Sequence, residues 1–233
     1  MNVAINMFNK TYHFIFLLLL SLSPYHAFGQ AENPAWWKRN NLRVIQTNLP
    51  AFTAEHIEPK AFVEQLVAAS ANTLIINAGG IMAFYPTSLP YHYRNPYASD
   101  TMLGDIIKRC HEQGIRVIVR VDFSRLHKSV FEQHPDWCYL SANGERMFND
   151  DIYVVSINAP YVQEKSFEIV SEIMDRYPVD GIFLNMPGYQ TNNAYIGKYY
   201  GIDHNPYDQK RFQSFSGGTD LPKKEDVKDP IFT

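Results

Sequence analysis

Apolar positions along the chain fall into alternating short runs and helical stripes. Leu42-Arg43-Val44-Ile45-Gln46-Thr47 is a β-branched run that ends at Asn48 and Pro50, which predicts a strand. Pro59 to Ala71 reads as a helix: proline suits the first turn, and Phe62, Leu66 and Ala69 recur at helical spacing beside Val63 and Val67. Thr73-Leu74-Ile75-Ile76-Asn77 is continuously apolar up to its last residue, the pattern of a strand covered on both faces. An aromatic loop then runs from Ala78 to Ser99. Asp100 is the expected cap of a helix whose Leu103, Ile106, Ile107 and Cys110 form one stripe and which Gly114 closes. Arg116 to Asp122 predicts a third strand. Ser129 to Gln133 predicts one helical turn, and Asp151 to Ser156 a strand or extended segment. Asn158-Ala159-Pro160 opens a helix to about Arg176, and Val179 to Asn185 is the fourth buried strand. Beyond Met186 the signal weakens to one expected helix near Gln209 to Phe215.

Repeated strand and helix point to βαβ units and a parallel sheet, an α/β protein. A doubly wound nucleotide fold wants a glycine-rich turn after its first strand. Here that turn is Asn48-Leu49-Pro50-Ala51, which offers no phosphate cradle. Large loops after the strand ends favour a (β/α)8 barrel of the TIM type. A full barrel takes about 250 residues, and four βα units are visible, so the expectation is the first half of a barrel. A missing C-terminal half or an oligomer would then complete it.

The N-terminus bears on location. Lys10 precedes the apolar run Phe14 to Leu22, Pro24 breaks it, and Ala27-Phe28-Gly29 puts small residues where a signal peptidase reads. Residues 1–29 are therefore expected to be a signal peptide, leaving a secreted or periplasmic chain, 30–233, with no further membrane span. Composition adds exclusions. With 21 basic and 24 acidic residues the net charge is −3, which argues against binding nucleic acid through its phosphates. Hydrophobic residues at 45% and charged residues at 19% suit a globular domain. Two cysteines exclude a disulfide scaffold.

Four segments together resemble one family: Gly114-Ile115-Arg116-Val117-Ile118-Val119-Arg120-Val121-Asp122-Phe123-Ser124, Ser156-Ile157-Asn158-Ala159-Pro160-Tyr161, Val179-Asp180-Gly181-Ile182-Phe183-Leu184-Asn185-Met186, and Phe215-Ser216-Gly217-Gly218-Thr219-Asp220-Leu221-Pro222. In order and spacing they are similar to the bacterial glycoside-hydrolase-like barrels called hypothetical glycosyl hydrolase 6. The resemblance spans roughly residues 36–232 and implies an oligosaccharide or polysaccharide as substrate, with no metal or other cofactor. Relatives carry a Cys-x-Cys-x-x-Cys run before an Arg-Phe pair. The matching stretch here, Gly201 to Phe212, has no cysteine.

Glycoside hydrolysis needs two carboxyl groups across the scissile bond, and in a barrel they belong at the carboxyl ends of the strands. The strand-end polar residues are Asn48, Asn77, Asp122 and Asn185, so only Asp122 is a catalytic candidate. Arg120, two residues earlier, shares its face; it either contacts substrate or simply pairs with Asp122. Asn185 stands where several barrel glycosidases carry an aspartate nucleophile; an amide cannot take that role but can bind a sugar hydroxyl. Asn77 is placed beside it. In the aromatic loop Tyr91, Tyr93 and Arg94 offer flat rings and a fork of donors for a sugar face, or else pack over the barrel top. His127 follows the third strand and either lines the site or lies on the surface. Glu145, Asp150 and Asp151 read as turn charges. Asp203, His204 and Asp208 match no standard metal loop. Three functions stay open: a glycosidase, a non-catalytic carbohydrate-binding protein, and an inactive barrel fragment.

Overall fold

The computed structural model describes residues 35–38 and 41–228. The expected signal peptide, residues 1–29, lies outside them. Two units are distinguished, residues 1–41 and 42–233. In the first, Trp36–Lys38 form a 3-10 turn whose two indoles meet edge to face.

The second unit begins with β1 (Val44–Gln46). Helix α1 (Pro59–Ala68) follows; the Glu58 side chain caps it by accepting from the Lys60 and Ala61 amides, and Val63 and Leu66 are its buried face. Then come β2 (Thr73–Gly80), α2 (Met102–Glu112) and β3 (Arg116–Asp122). Gly114 sits at φ 70°, the left-handed turn that ends α2. Asp100 does not cap this helix: its carboxylate is drawn to Arg94 at 2.5 Å, and α2 starts after Thr101 with no side-chain cap.

An insertion after β3 holds β4 (Arg125–His127), α3 (Lys128–Phe131), β5 (Phe148–Asn149) and β6 (Ile152–Val154). The extended segment expected at 151–156 thus joins a separate antiparallel sheet of order β4-β6-β5. The helix expected from Asn158 opens with a wide π turn at Tyr161–Lys165 before α4 (Ser166–Arg176). β7 (Gly181–Asn185) is the last strand of the main sheet. The last described elements are a hairpin, β8 (Asn192–Asn193) with β9 (Lys198–Tyr199), and α5 (Pro206–Ser216), capped by the Asn205 side chain.

The main sheet has order β1-β2-β3-β7, and every pair is parallel. All four strand ends therefore lie on one side, as parallel strands require. Its register sets Ile75 beside Ile118 and Gly181, Asn77 beside Arg120 and Phe183, and Asp122 beside Asn185. These residues share one face. Leu74, Ile76, Val117, Val119 and Val121 form the other face, fully buried with Leu103, Ile106, Ile107, Ile169 and Ile173 of the helices. Among the described residues β1 and β7 have no outer neighbour, and Leu184 of β7 is 48% exposed. This is the α/β arrangement of half a barrel. No helix among the described residues is long and apolar enough to cross a membrane.

Candidate functional site at the strand ends

The site begins with a glycine. β2 bulges between Asn77 and Gly79, and Gly80, at φ 95°, brings its backbone against that of Asp122. Two bonds hold this approach: the Gly80 amide donates to His92 Nε2 at 3.1 Å, and Tyr161 Oη donates to the Gly80 carbonyl at 2.7 Å. Burial pushes His92 down to about 4, so the ring is neutral and Nε2 is free to accept. Its other nitrogen faces Tyr85 Oη, which donates to Glu172 at 2.8 Å. A buried chain of polar groups thus fixes the loop at the end of β2.

Asp122 is then locked. Its Oδ1 accepts from the Ser124 amide at 3.0 Å and the Ser124 hydroxyl at 2.6 Å, and its Oδ2 accepts from Asn185 Nδ2 at 2.6 Å. The Arg120 guanidinium stands 3.6 Å from Oδ2. Asn77 Oδ1 accepts from the Leu49 amide at 3.1 Å and pulls the loop after β1 into place. A cavity of about 530 Å³ opens above these ends. Its walls include Asn48, Asn77, Arg120, Asp122, Arg125, Asp150, Asn185 and Tyr195.

Four of the eight residues singled out in the sequence therefore line one cavity: Asn77, Arg120, Asp122 and Asn185. The other four do not line it. Tyr93 and His127 stack on each other, centroids 3.5 Å apart. Arg94 reaches Asp100 and the Ala98 carbonyl. Tyr91 bonds Glu168 on α4 and packs against Trp137. The aromatic loop uses these side chains for its own anchorage, the packing alternative of the sequence reading. Arg125, which the sequence did not single out, and Asp150, which it read as a turn charge, join the lining because the insertion sheet, paired across β4 and β6, brings them back over the strand ends. Glu145 and Asp151, by contrast, pair with Lys198 and Lys128.

The residues near the C-terminus clamp the chain. Asp203 accepts from the Leu140 and Asn205 amides, and Asp208 from Ser156 and Asn158. Burial, then the neighbouring Asp208, pushes Asp203 up to about 6; burial also raises Asp208. His204 bonds the Pro222 carbonyl instead of joining them. Among the described residues no group of three or more His, Cys, Asp or Glu is placed to hold a metal ion. Cys110 and Cys138 are buried free thiols.

No curated protein matches the chain. Among solved structures it is similar to alpha-L-fucosidase isoenzyme 2 from Paenibacillus thiaminolyticus, at 20% identity and a TM-score of 0.59, over 78% of this chain and 26% of that one. The chain thus spans about a quarter of the fucosidase's length. It is also similar to a hypothetical protein from Ruminiclostridium thermocellum, at 13% identity and a TM-score of 0.51, over 79% of this chain and 94% of that one. At such identities the likeness concerns the fold, a parallel α/β sheet of the glycoside-hydrolase barrel type. The family model for hypothetical glycosyl hydrolase 6 matches residues 58–186, more than half of the chain and all of the segment from α1 to the end of β7. The chain belongs to the hypothetical glycosyl hydrolase 6 family.

Proposed function

We propose that the cavity at the strand ends binds a glycan, and that the protein is an exported, glycoside-hydrolase-like binder of oligosaccharide or polysaccharide. One observation carries this reading: parallel strands bring Asn77, Arg120, Asp122 and Asn185 to a single cavity of sugar-binding size, rich in amide and guanidinium donors. Binding fits better than hydrolysis. Asp122 is buried, and its oxygens already accept three hydrogen bonds. Asp150, the other carboxylate of the lining, is exposed and accepts from Asn149. Hydrolysis asks for two carboxyls poised across the bond. The presence of Asp150 in the lining favours, as second reading, a slow glycosidase using that pair.

The test is a panel of oligosaccharides for binding and of aryl glycosides for turnover. Binding without turnover, weakened about tenfold or more in Asp122→Ala, is expected, since a charged acceptor contributes about 1.5–3 kcal/mol. Turnover abolished by both Asp122→Asn and Asp150→Asn would establish the second reading. A cooperatively folded protein that binds no glycan would refute both. Export rests on the apolar run and Ala27-Phe28-Gly29. N-terminal sequencing of protein from the native host should read from Gln30; Met1 on cytoplasmic protein would remove export.

A further inference from the structure

The cavity holds a buried cation short of partners. The Arg120 side chain is only 12% exposed, yet among the described residues it makes no hydrogen bond, and its Nε is buried without a partner. Its carboxylate neighbour, Asp122 Oδ2, stays at 3.6 Å and is taken by Asn185 at 2.6 Å; the second oxygen is taken by Ser124. A guanidinium offers five N–H donors and keeps its charge at any ordinary pH. Buried without matched acceptors, it is costly. A site that tolerates this cost is set to have the acceptors brought to it.

The surroundings repeat the imbalance. Arg125 is a second guanidinium in the same lining, tied only lightly, by one N–H to Ser124 Oγ at 3.2 Å and by lying 5.7 Å from the Tyr195 ring centre. The Asn77 oxygen is already used by the Leu49 amide, so the group it has left to offer is its NH2. Against these donors stand Asp122, which already accepts three hydrogen bonds, and Asp150, which is exposed to water. The unmet capacity is for donors facing a negatively charged acceptor with two oxygens in one plane, the shape a guanidinium fork matches.

We propose that the glycan bound here carries a sugar carboxylate, as in a uronic acid, held by Arg120 with Arg125 as the second charge. This rests on the glycan-binding reading of the same cavity. Asn77 and Asn185 then serve the ring hydroxyls, and Tyr195 stands beside Arg125 as an apolar wall.

Calorimetric titration of the purified full chain tests it with oligomers of galacturonic, glucuronic and mannuronic acid and the same oligomers with their carboxyls reduced to alcohols. At least one acidic oligomer should bind about tenfold or more tighter than its reduced form, the discrimination expected when a buried charged donor loses its acceptor. Arg120→Gln should erase that difference, Arg120→Lys should restore only part of it, and Arg125→Gln should reduce it. Equal or tighter binding of the reduced oligomers would overturn the inference and leave the glycan reading standing. Binding of none, nor of neutral glycans, would remove both. Equal preference for a sulfated neutral oligomer would show that charge alone is read and would overturn the carboxylate assignment. The comparison of ligands on the unaltered protein decides the matter even if an Arg120 variant fails to fold.

Discussion

Gly80→Ala is expected to destabilise the protein by about 3 kcal/mol or more, combining left-handed backbone strain of ~1–2 kcal/mol with overpacking of ~1–3 kcal/mol. A Cβ at this position would stand 2.2 Å from the Asp122 carbonyl oxygen and 2.5 Å from its carbonyl carbon and amide nitrogen. None of these is a flexible side-chain end, so β2 and β3 must part. Parting them also strains the His92 and Tyr161 bonds to Gly80. The control is Gly114→Ala, at φ 70° with nothing within 4 Å of the added carbon, which carries the backbone strain alone. Urea midpoints of the two variants separate the effects. Equal losses would mean that the close approach at Asp122 is not there in solution.

The second large effect is expected at Glu172. One carboxylate accepts from Tyr85 Oη at 2.8 Å, Thr87 Oγ1 at 2.6 Å, the Ser88 amide and hydroxyl at 2.7 Å each, and Arg176 at 3.1 Å. Burial would raise it, but the bonds from Thr87, Ser88 and Tyr85 outweigh burial and hold it down to about 2. Glu172→Ala leaves the fully buried Tyr85 hydroxyl unmatched and should cost about 3 kcal/mol, the upper range for hydrogen bonds to a charged group. The sign with pH follows from linkage. A carboxyl whose folded pKa is depressed stabilises fully above its ordinary value of 4.5, and that contribution fades as pH falls toward 2. The gap in urea midpoint between the native protein and Glu172→Gln should therefore narrow between pH 5 and pH 2.5. A gap that stays constant would show that the charge of Glu172 adds nothing.

The barrel-forming elements were legible because their residues serve one purpose. Leu74, Ile76, Val117 and Val119 are buried on the helix side, so each strand reads as apolar and its polar end is conspicuous. That is why Asn77, Asp122 and Asn185 could be named from the chain alone, and why Arg120, two residues before Asp122, came with them. The loops obey no such period. Tyr91, Tyr93 and Arg94 look like ligands in isolation, but Glu168 and His127, the partners of the two tyrosines, lie in other segments, and Asp100, six residues after Arg94, reads as a helix cap. Arg125 and Asp150 depend on a small antiparallel sheet whose strands are two or three residues long, too short for alternation to register.

The parallel order of the sheet also implies an order of assembly. Joining Ile45 to Leu74 closes a shorter loop than joining Leu74 to Val117, and joining Val119 to Ile182 closes the longest of the three. Closure entropy rises with each by a few tenths of a kcal/mol, about 0.6 kcal/mol per doubling of the loop, so β7 is expected to be the last of the three pairings to close. Its outer edge is unpaired among the described residues, and Leu184 is half exposed. Strands of this kind open locally at less cost than the sheet as a whole. When β7 lets go, Asn185 leaves Asp122 and the cavity loses one wall while β2 and β3 stay paired. The site is thus expected to open at less cost than the fold as a whole, and a ligand that bridges Arg120 and Asn185 should slow amide exchange in β7 before it changes the melting of the protein.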